Sequence, residues 1–242
     1  MSADADTTPP LAPLSVPLLS APEEHWNQAV GAKTMAQDPD AYAFFHSDPG
    51  LPDVLIIGDS ISIGYTPTVR KHLAGKANVF RIPENANWTS FILQNLDKWF
   101  DAVGKQHFKV ITFNSGLHDM TRLVNGEYDA TSPNNRIPLP DYKKNIEQIV
   151  NRLHDHADTL LWASTTVVPE GAFGRRTGDE VLYNQTAAEV MTSRQIPIID
   201  LYAISNVDRV IYEWIPNNVH YNPDGYQRLG TEVSRQISLY LK

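Results

Sequence analysis

The chain has 242 residues, 42% of them hydrophobic and 10% aromatic, which suits one domain with a packed core and excludes wholesale disorder. Its formal net charge is −8 and its 20 Lys and Arg are scattered singly or in adjacent pairs, so no basic stripe is offered to a nucleic-acid backbone. Cysteine is absent, which removes disulfides, thiol nucleophiles and thiolate metal sites while leaving the compartment open.

The first 22 residues hold Pro9, Pro10, Pro13, Pro17 and Pro22 and read as an extended arm. Leu11 to Leu19 does not read as a signal peptide, because Pro13 and Pro17 interrupt it and acidic Asp4 and Asp6 stand where a basic segment belongs. No window approaches the roughly eighteen apolar residues of a membrane span, so a soluble chain is expected. Glu23 to Phe45 reads as an irregular or short helical lead-in, and Asp48, Pro49, Gly50 and Pro52 mark the turn into the first strand. Residues 1–50 are therefore arm and lead-in, and residues 51–242 the domain.

From Pro52 onward, β-rich runs alternate with segments of helical period. The strands expected are Val54 to Ile57, Val79 to Ile82, Val110 to Phe113, Leu160 to Ala163 and Ile196 to Ile199. Between them Ile92, Leu96, Trp99 and Val103 share one helix face, and Tyr142, Ile146, Ile149, Val150 and Leu153 another. In the last helix Asn222 suits the N-cap and Pro223 the first turn, ahead of a stripe of Tyr226, Leu229, Val233 and Ile237. This alternation implies right-handed crossovers and a five-stranded parallel sheet covered on both faces.

Gly58, Asp59, Ser60, Ile61 and Ser62 directly follow the first strand, which puts Ser60 at a strand-to-helix turn on the carboxyl edge of the sheet. A nucleophile there stands in the crevice, beside the unpaired N–H groups of a helix start. A serine hydroxyl needs a base to accept its proton, and His220, in the loop before the Asn222 cap, is the best placed of the eight histidines. Asn114, Ser115, Gly116, Leu117, His118 and Asp119 follow the third strand, and Asn85, Asn87, Trp88 and Thr89 follow the second, so both loops open onto the same edge. Asp59 is expected to tie down the turn. Trp88 is either a packing residue or a wall on which a sugar or acyl group stacks. Gly171 to Asp179, with Arg175 and Arg176, reads as a solvated loop, or as a lid bringing cations to an acidic substrate.

These blocks resemble those of the SGNH or GDSL hydrolase family over roughly Pro52 to Lys242. The resemblance implies a three-layer, flavodoxin-like α/β fold and a serine esterase that needs no metal or cofactor. It carries the nucleophile onto Ser60, whose N–H is also an oxyanion donor, and the base onto His220, with the family's glycine at Gly225. Three positions depart from the family pattern. Asn87 replaces the second block's glycine, a place a left-handed Asn can fill. His118 replaces the third block's asparagine as oxyanion donor, with Asn114 competing. Asn217 stands where the family has the aspartate that orients the histidine. A triad with that change loses on the order of 10⁴ in kcat, so a Ser60–His220 dyad held by a backbone carbonyl is preferred, with Asn217 the possible orienter.

The family includes carbohydrate acetylesterases, lipases, thioesterases and arylesterases, and removal of acetyl groups from a saccharide is the leading expectation. Two rivals stand beside it. One is a non-catalytic carbohydrate- or partner-binding module in which Asn217 marks decay of the site. The other is a metal-dependent hydrolase built on His118, Asp119 and His220.

Overall fold

The computed structural model describes residues 22–207 and 212–242, so the Pro-rich arm up to residue 21 lies outside the described residues. The lead-in forms three short helices, α1 (Pro22–Val30), α2 (Ala32–Gln37) and α3 (Pro39–Tyr42). They are packed, not loose. Trp26 Nε1 donates to Tyr42 O at 2.8 Å, and the ring of Tyr42 is fully buried against the Arg81 guanidinium, 4.6 Å from its centre. Arg70 ties the same segment down by donating to Asp40 O and Ala43 O at 3.0 and 3.2 Å.

Five strands make one parallel sheet: β1 (Asp53–Ile57), β2 (Asn78–Arg81), β3 (Phe108–Phe113), β6 (Ala157–Ala163) and β7 (Ile198–Ile199). Their order is β2-β1-β3-β6-β7, which is 2-1-3-4-5 counted within the sheet, the flavodoxin-like arrangement. Val54, Leu55, Ile56, Ile57, Val110 and Ile111 are each no more than 1% exposed, because helices cover both faces of these runs. Ile57 pairs with Phe113, so the loops after β1 and β3 leave the sheet side by side, at the point where the strand order reverses. Ligands of such sheets bind there.

The covering helices are α4 (Ser60–His72), α5 (Thr89–Val103), α6 (Leu139–His154), α7 (Asp179–Ser193), the short α8 (Leu201–Asn206) and a C-terminal helix (Pro223–Ser238). Asn222 caps the last by accepting from Gly225 N at 2.9 Å, with Pro223 in its first turn. Two elements were not marked by periodicity. Helix α7 buries Glu180 and Ala187 along with Tyr183 and Val190, so its stripe is weakly apolar. A hairpin of β4 (Leu123–Val124) and β5 (Glu127–Tyr128) turns on Asn125 and Gly126, both at positive φ, the Asn-Gly signal of a tight hairpin.

Helix α4 and the C-terminal helix touch backbone to backbone. A Cβ on Gly64 would lie 2.2 Å from the Tyr226 ring, and one on Gly230 would lie 2.7 Å from Thr68 Cβ and 3.0 Å from Tyr65 O. This close approach fixes the start of one helix relative to the loop that enters the other.

Candidate active site

Ser60 is the first residue of α4. Asp59, fully buried, caps that helix through its side chain, accepting from Ile61 N at 3.0 Å. Its task is the turn itself, as the sequence indicates, and burial of its carboxyl raises its pKa to about 6. As the first helical residue, Ser60 has a backbone N–H with no helical acceptor.

His220 Nε2 lies 2.9 Å from Ser60 Oγ. Its other nitrogen, Nδ1, lies 2.7 Å from Asn218 Oδ1, which also accepts from the His220 backbone N–H at 2.9 Å. A backbone N–H can only donate, so the Asn218 atom facing both groups is the amide oxygen. Nδ1 must then carry the ring proton, and Nε2 presents its lone pair to the serine hydroxyl, the tautomer a general base requires.

The sequence-based orienter is therefore corrected on two counts. Nδ1 is held neither by a backbone carbonyl nor by Asn217. Asn217 is exposed, sits at φ 62° and contacts the Gly171 position instead. Its left-handed backbone makes the bend that lets the next residue fold its amide back over His220. A short side chain two residues before a histidine forming an Asx turn was the signal available for Asn218.

The oxyanion donors also separate. Asn87 does adopt the left-handed backbone, at φ 51°. Its N–H, however, donates to Asn85 Oδ1 at 2.9 Å, and its side-chain amide donates to Asn85 O at the same distance, so the loop's own turn takes the proposed backbone donor. Asn114 is 6% exposed and donates through Nδ2 to Ala163 O at 2.8 Å, satisfying the carbonyl at the end of β6. His118 is half-buried, and neither ring nitrogen is bonded to a protein group among the described residues. Burial lowers its pKa to about 3, helped by the Arg175, Arg136 and His220 charges, so it is a neutral imidazole with an N–H to offer. The loop holding it is rigid: Gly116 sits at φ 144°, and a Cβ there would lie 2.3 Å from Thr165 Oγ1, which donates to Ser115 O.

Asp119 has a structural task. Its buried Oδ1 accepts from Thr89 N at 2.9 Å and Thr89 Oγ1 at 2.6 Å, joining the third-block loop to the start of α5, and burial raises its pKa to about 7. Among the described residues no three His, Asp or Glu side chains converge as a ligand set, so the group His118, Asp119 and His220 is not assembled as one.

The loop from Gly171 to Asp179 is pinned. Arg176 donates to Ala130 O, Thr131 O and Ser132 O at 2.6–3.0 Å, and Arg175 Nε donates to Leu117 O at 2.7 Å, next to His118. Trp88 is half-buried, packs on Phe91 with 5.6 Å between ring centres, and carries the Arg136 guanidinium 4.3 Å over one ring face. His220 has a pKa below that of a free imidazole, first from burial and then from Arg175, with Asp38 opposing.

A parallel sheet in flavodoxin-like order, with a serine at the end of β1 facing an imidazole from the last loop, defines an α/β hydrolase of SGNH type. A family model of GDSL-like lipases/acylhydrolases matches residues 56–228, and the chain belongs to that family of hydrolytic enzymes. The fold is similar to that of a lipase/acylhydrolase from Enterococcus faecalis, with a TM-score of 0.63 and 19% identity over 79% of this chain and 97% of that one. It is also similar to an acetyl xylan esterase (TM-score 0.61, 13% identity, 76% and 99% covered). An acetylxylan esterase from Geobacillus stearothermophilus has a TM-score of 0.59 at 14% identity, with 77% and 94% covered. No curated protein matches the chain in sequence.

Proposed function

We propose that the chain is a serine esterase that hydrolyses acyl esters, with acetyl groups on a saccharide as its substrate class. The observation that carries the reading is the 2.9 Å contact between His220 Nε2 and Ser60 Oγ, with the ring proton held on the opposite nitrogen by Asn218. In this reading Ser60 Oγ attacks the acyl carbon while His220 Nε2 takes its proton. The tetrahedral oxyanion is held by the Ser60 N–H and the His118 ring N–H. His220 then protonates the leaving alcohol, and water, activated by the same nitrogen, releases the acid from the acyl-enzyme. Each oxyanion donor is worth about 3 to 4 kcal/mol in such sites.

Support for a saccharide is twofold. Solved structures of like fold include acetylxylan esterases. In addition, Phe173, packed against the Tyr128 ring, and Trp214 are 71% and 61% exposed on the segments that carry Arg175 and precede His220, where exposed ring surface can stack on a sugar. The binding-module rival would leave Ser60 and His220 without a reason to be hydrogen-bonded in the reactive tautomer.

Nitrophenyl acetate and acetylated xylo-oligosaccharides, assayed on wild type and Ser60→Ala, test the reading. Turnover abolished by Ser60→Ala, with an organophosphonate adduct confined to wild type, is the expected result. No adduct at Ser60 would return the protein to the binding-module reading.

A further inference from the structure

Arg70 and Arg176, which meet no carboxylate within 4.0 Å among the described residues, each donate three hydrogen bonds to main-chain oxygens, and Arg81 donates two and a third to Thr66 Oγ1. Two arginines at the active-site mouth donate fewer. Arg175 donates from Nε to Leu117 O and from Nη1 to Phe173 O, at 2.7 and 3.2 Å, and its Nη2 meets no acceptor among the described residues. Arg136 donates from Nε to Thr121 Oγ1 at 3.0 Å and lays the rest of its guanidinium over Trp88, leaving both Nη groups open.

Both cations are half-buried, and neither has a carboxylate within 4.0 Å among the described residues. They stand near enough to repel each other, with the buried Asp59 carboxyl offsetting part of the charge on Arg175; both act on His118, and Arg175 acts on His220 as well. Placing two guanidinium groups together in a half-buried site, with no carboxylate in contact, is unfavourable, and a ligand of opposite charge relieves it. Open Nη groups in a planar fork suit a carboxylate, which takes two parallel N–H bonds. The acidic protein as a whole, at net charge −8, makes this local reversal of sign a property of the site.

We infer that Arg175 and Arg136 form an anion subsite beside Ser60 and that the preferred ester carries a carboxylate. The inference rests on the serine esterase reading and narrows its substrate class. The carboxylate is borne either by the acyl group, as in a hemisuccinate, or by the alcohol, as in an acetylated uronic acid.

The test compares kcat/KM within matched pairs: 4-nitrophenyl hemisuccinate against 4-nitrophenyl butyrate, and methyl O-acetyl-glucoside against the corresponding O-acetyl-glucuronoside. Wild type is expected to prefer the anionic member of one pair by about tenfold or more, and the pair that shows it identifies the side bearing the charge. Arg175→Gln should bring that ratio to about one, Arg175→Lys should keep part of it, and added salt should erode it in wild type and Arg175→Lys but not in Arg175→Gln. Circular dichroism and melting temperature identify any variant that fails to fold, and the wild-type ratios stand without it. Ser60-dependent turnover with no anionic preference in either pair overturns the subsite and leaves the esterase reading intact. Absence of turnover and of a Ser60 adduct overturns the esterase reading itself.

Discussion

Asn218 Oδ1 accepts from two donors of His220 at once, the backbone N–H at 2.9 Å and ring Nδ1 at 2.7 Å. An asparagine in place of an orienting aspartate is damaging when its amide can present the NH2 end and impose the wrong tautomer. Here a flip would set two donors against each other, so the turn that Asn218 makes with its own backbone fixes which end faces the ring. Asn218→Ala should therefore lower kcat/KM by about 10² or more, while Asn217→Ala stays within about tenfold; equal losses in both variants would contradict this division of roles.

The acid limb of the pH profile follows from the same ring. Catalysis in this reading needs His220 neutral, and burial together with the Arg175 charge lowers its pKa, with Asp38 opposing and neutral His118 adding no charge. The proton thus binds at lower pH than on a free imidazole, so the acid limb of kcat/KM should lie below that of a free imidazole. Asn218→Asp places a carboxylate against Nδ1 and should move the limb upward, a shift visible in a pH series on nitrophenyl acetate.

His118 stands in place of the family's asparagine and keeps an unengaged ring N–H. Replacement by Ala should depress kcat by about 10² or more with KM little changed, and His118→Asn should restore part of the loss. A change confined to KM would assign His118 to substrate binding instead.

Asp119 predicts how stability depends on pH. An unfolded Asp titrates near 3.8, whereas the buried Asp119 holds its proton to about 7. Between those values the folded state binds more protons than the unfolded one, so raising the pH lowers stability, and Asp59, raised to about 6, adds in the same direction. Asp119→Asn keeps an acceptor for Thr89 and cannot ionise. Its melting temperature should gain on that of wild type as the pH is raised from 4 to 8, and parallel curves would remove Asp119 from the account.

The contact between Gly64 and Tyr226 joins packing to chemistry. A methyl group at residue 64 would penetrate the ring and push the two helices apart. Gly64→Ala should lower the melting temperature by several degrees and reduce kcat more than KM, because the distance between Ser60 and His220 depends on that packing. Unchanged kinetics would mean that the loop before the C-terminal helix holds His220 without help from the helix.

The strands, the cap at Asn222 and the places of Ser60 and His220 were legible in the sequence because each depends on local features, while the flavodoxin-like strand order was implied by the family resemblance. Apolar runs, helical stripes and a turn between strand and helix are read within a dozen residues, and the α/β alternation leaves few topologies open. Partners were not legible. The family resemblance put Asn217 at the orienting aspartate's place, with a backbone carbonyl preferred as orienter and Asn87 and Asn114 among the donors, yet which amide meets which acceptor depended on a left-handed residue at 217, the Asn85 turn and an unfilled carbonyl at Ala163. The same holds for the open arginines. Arg175 in the sequence is one cation on a polar loop, and only the fold set it next to Arg136, beside His118, with no carboxylate in salt-bridge contact among the described residues. Local patterning determined where the reactive groups stand along the chain, whereas competition among buried donors and acceptors, a property of the whole packed structure, decided what each one faces.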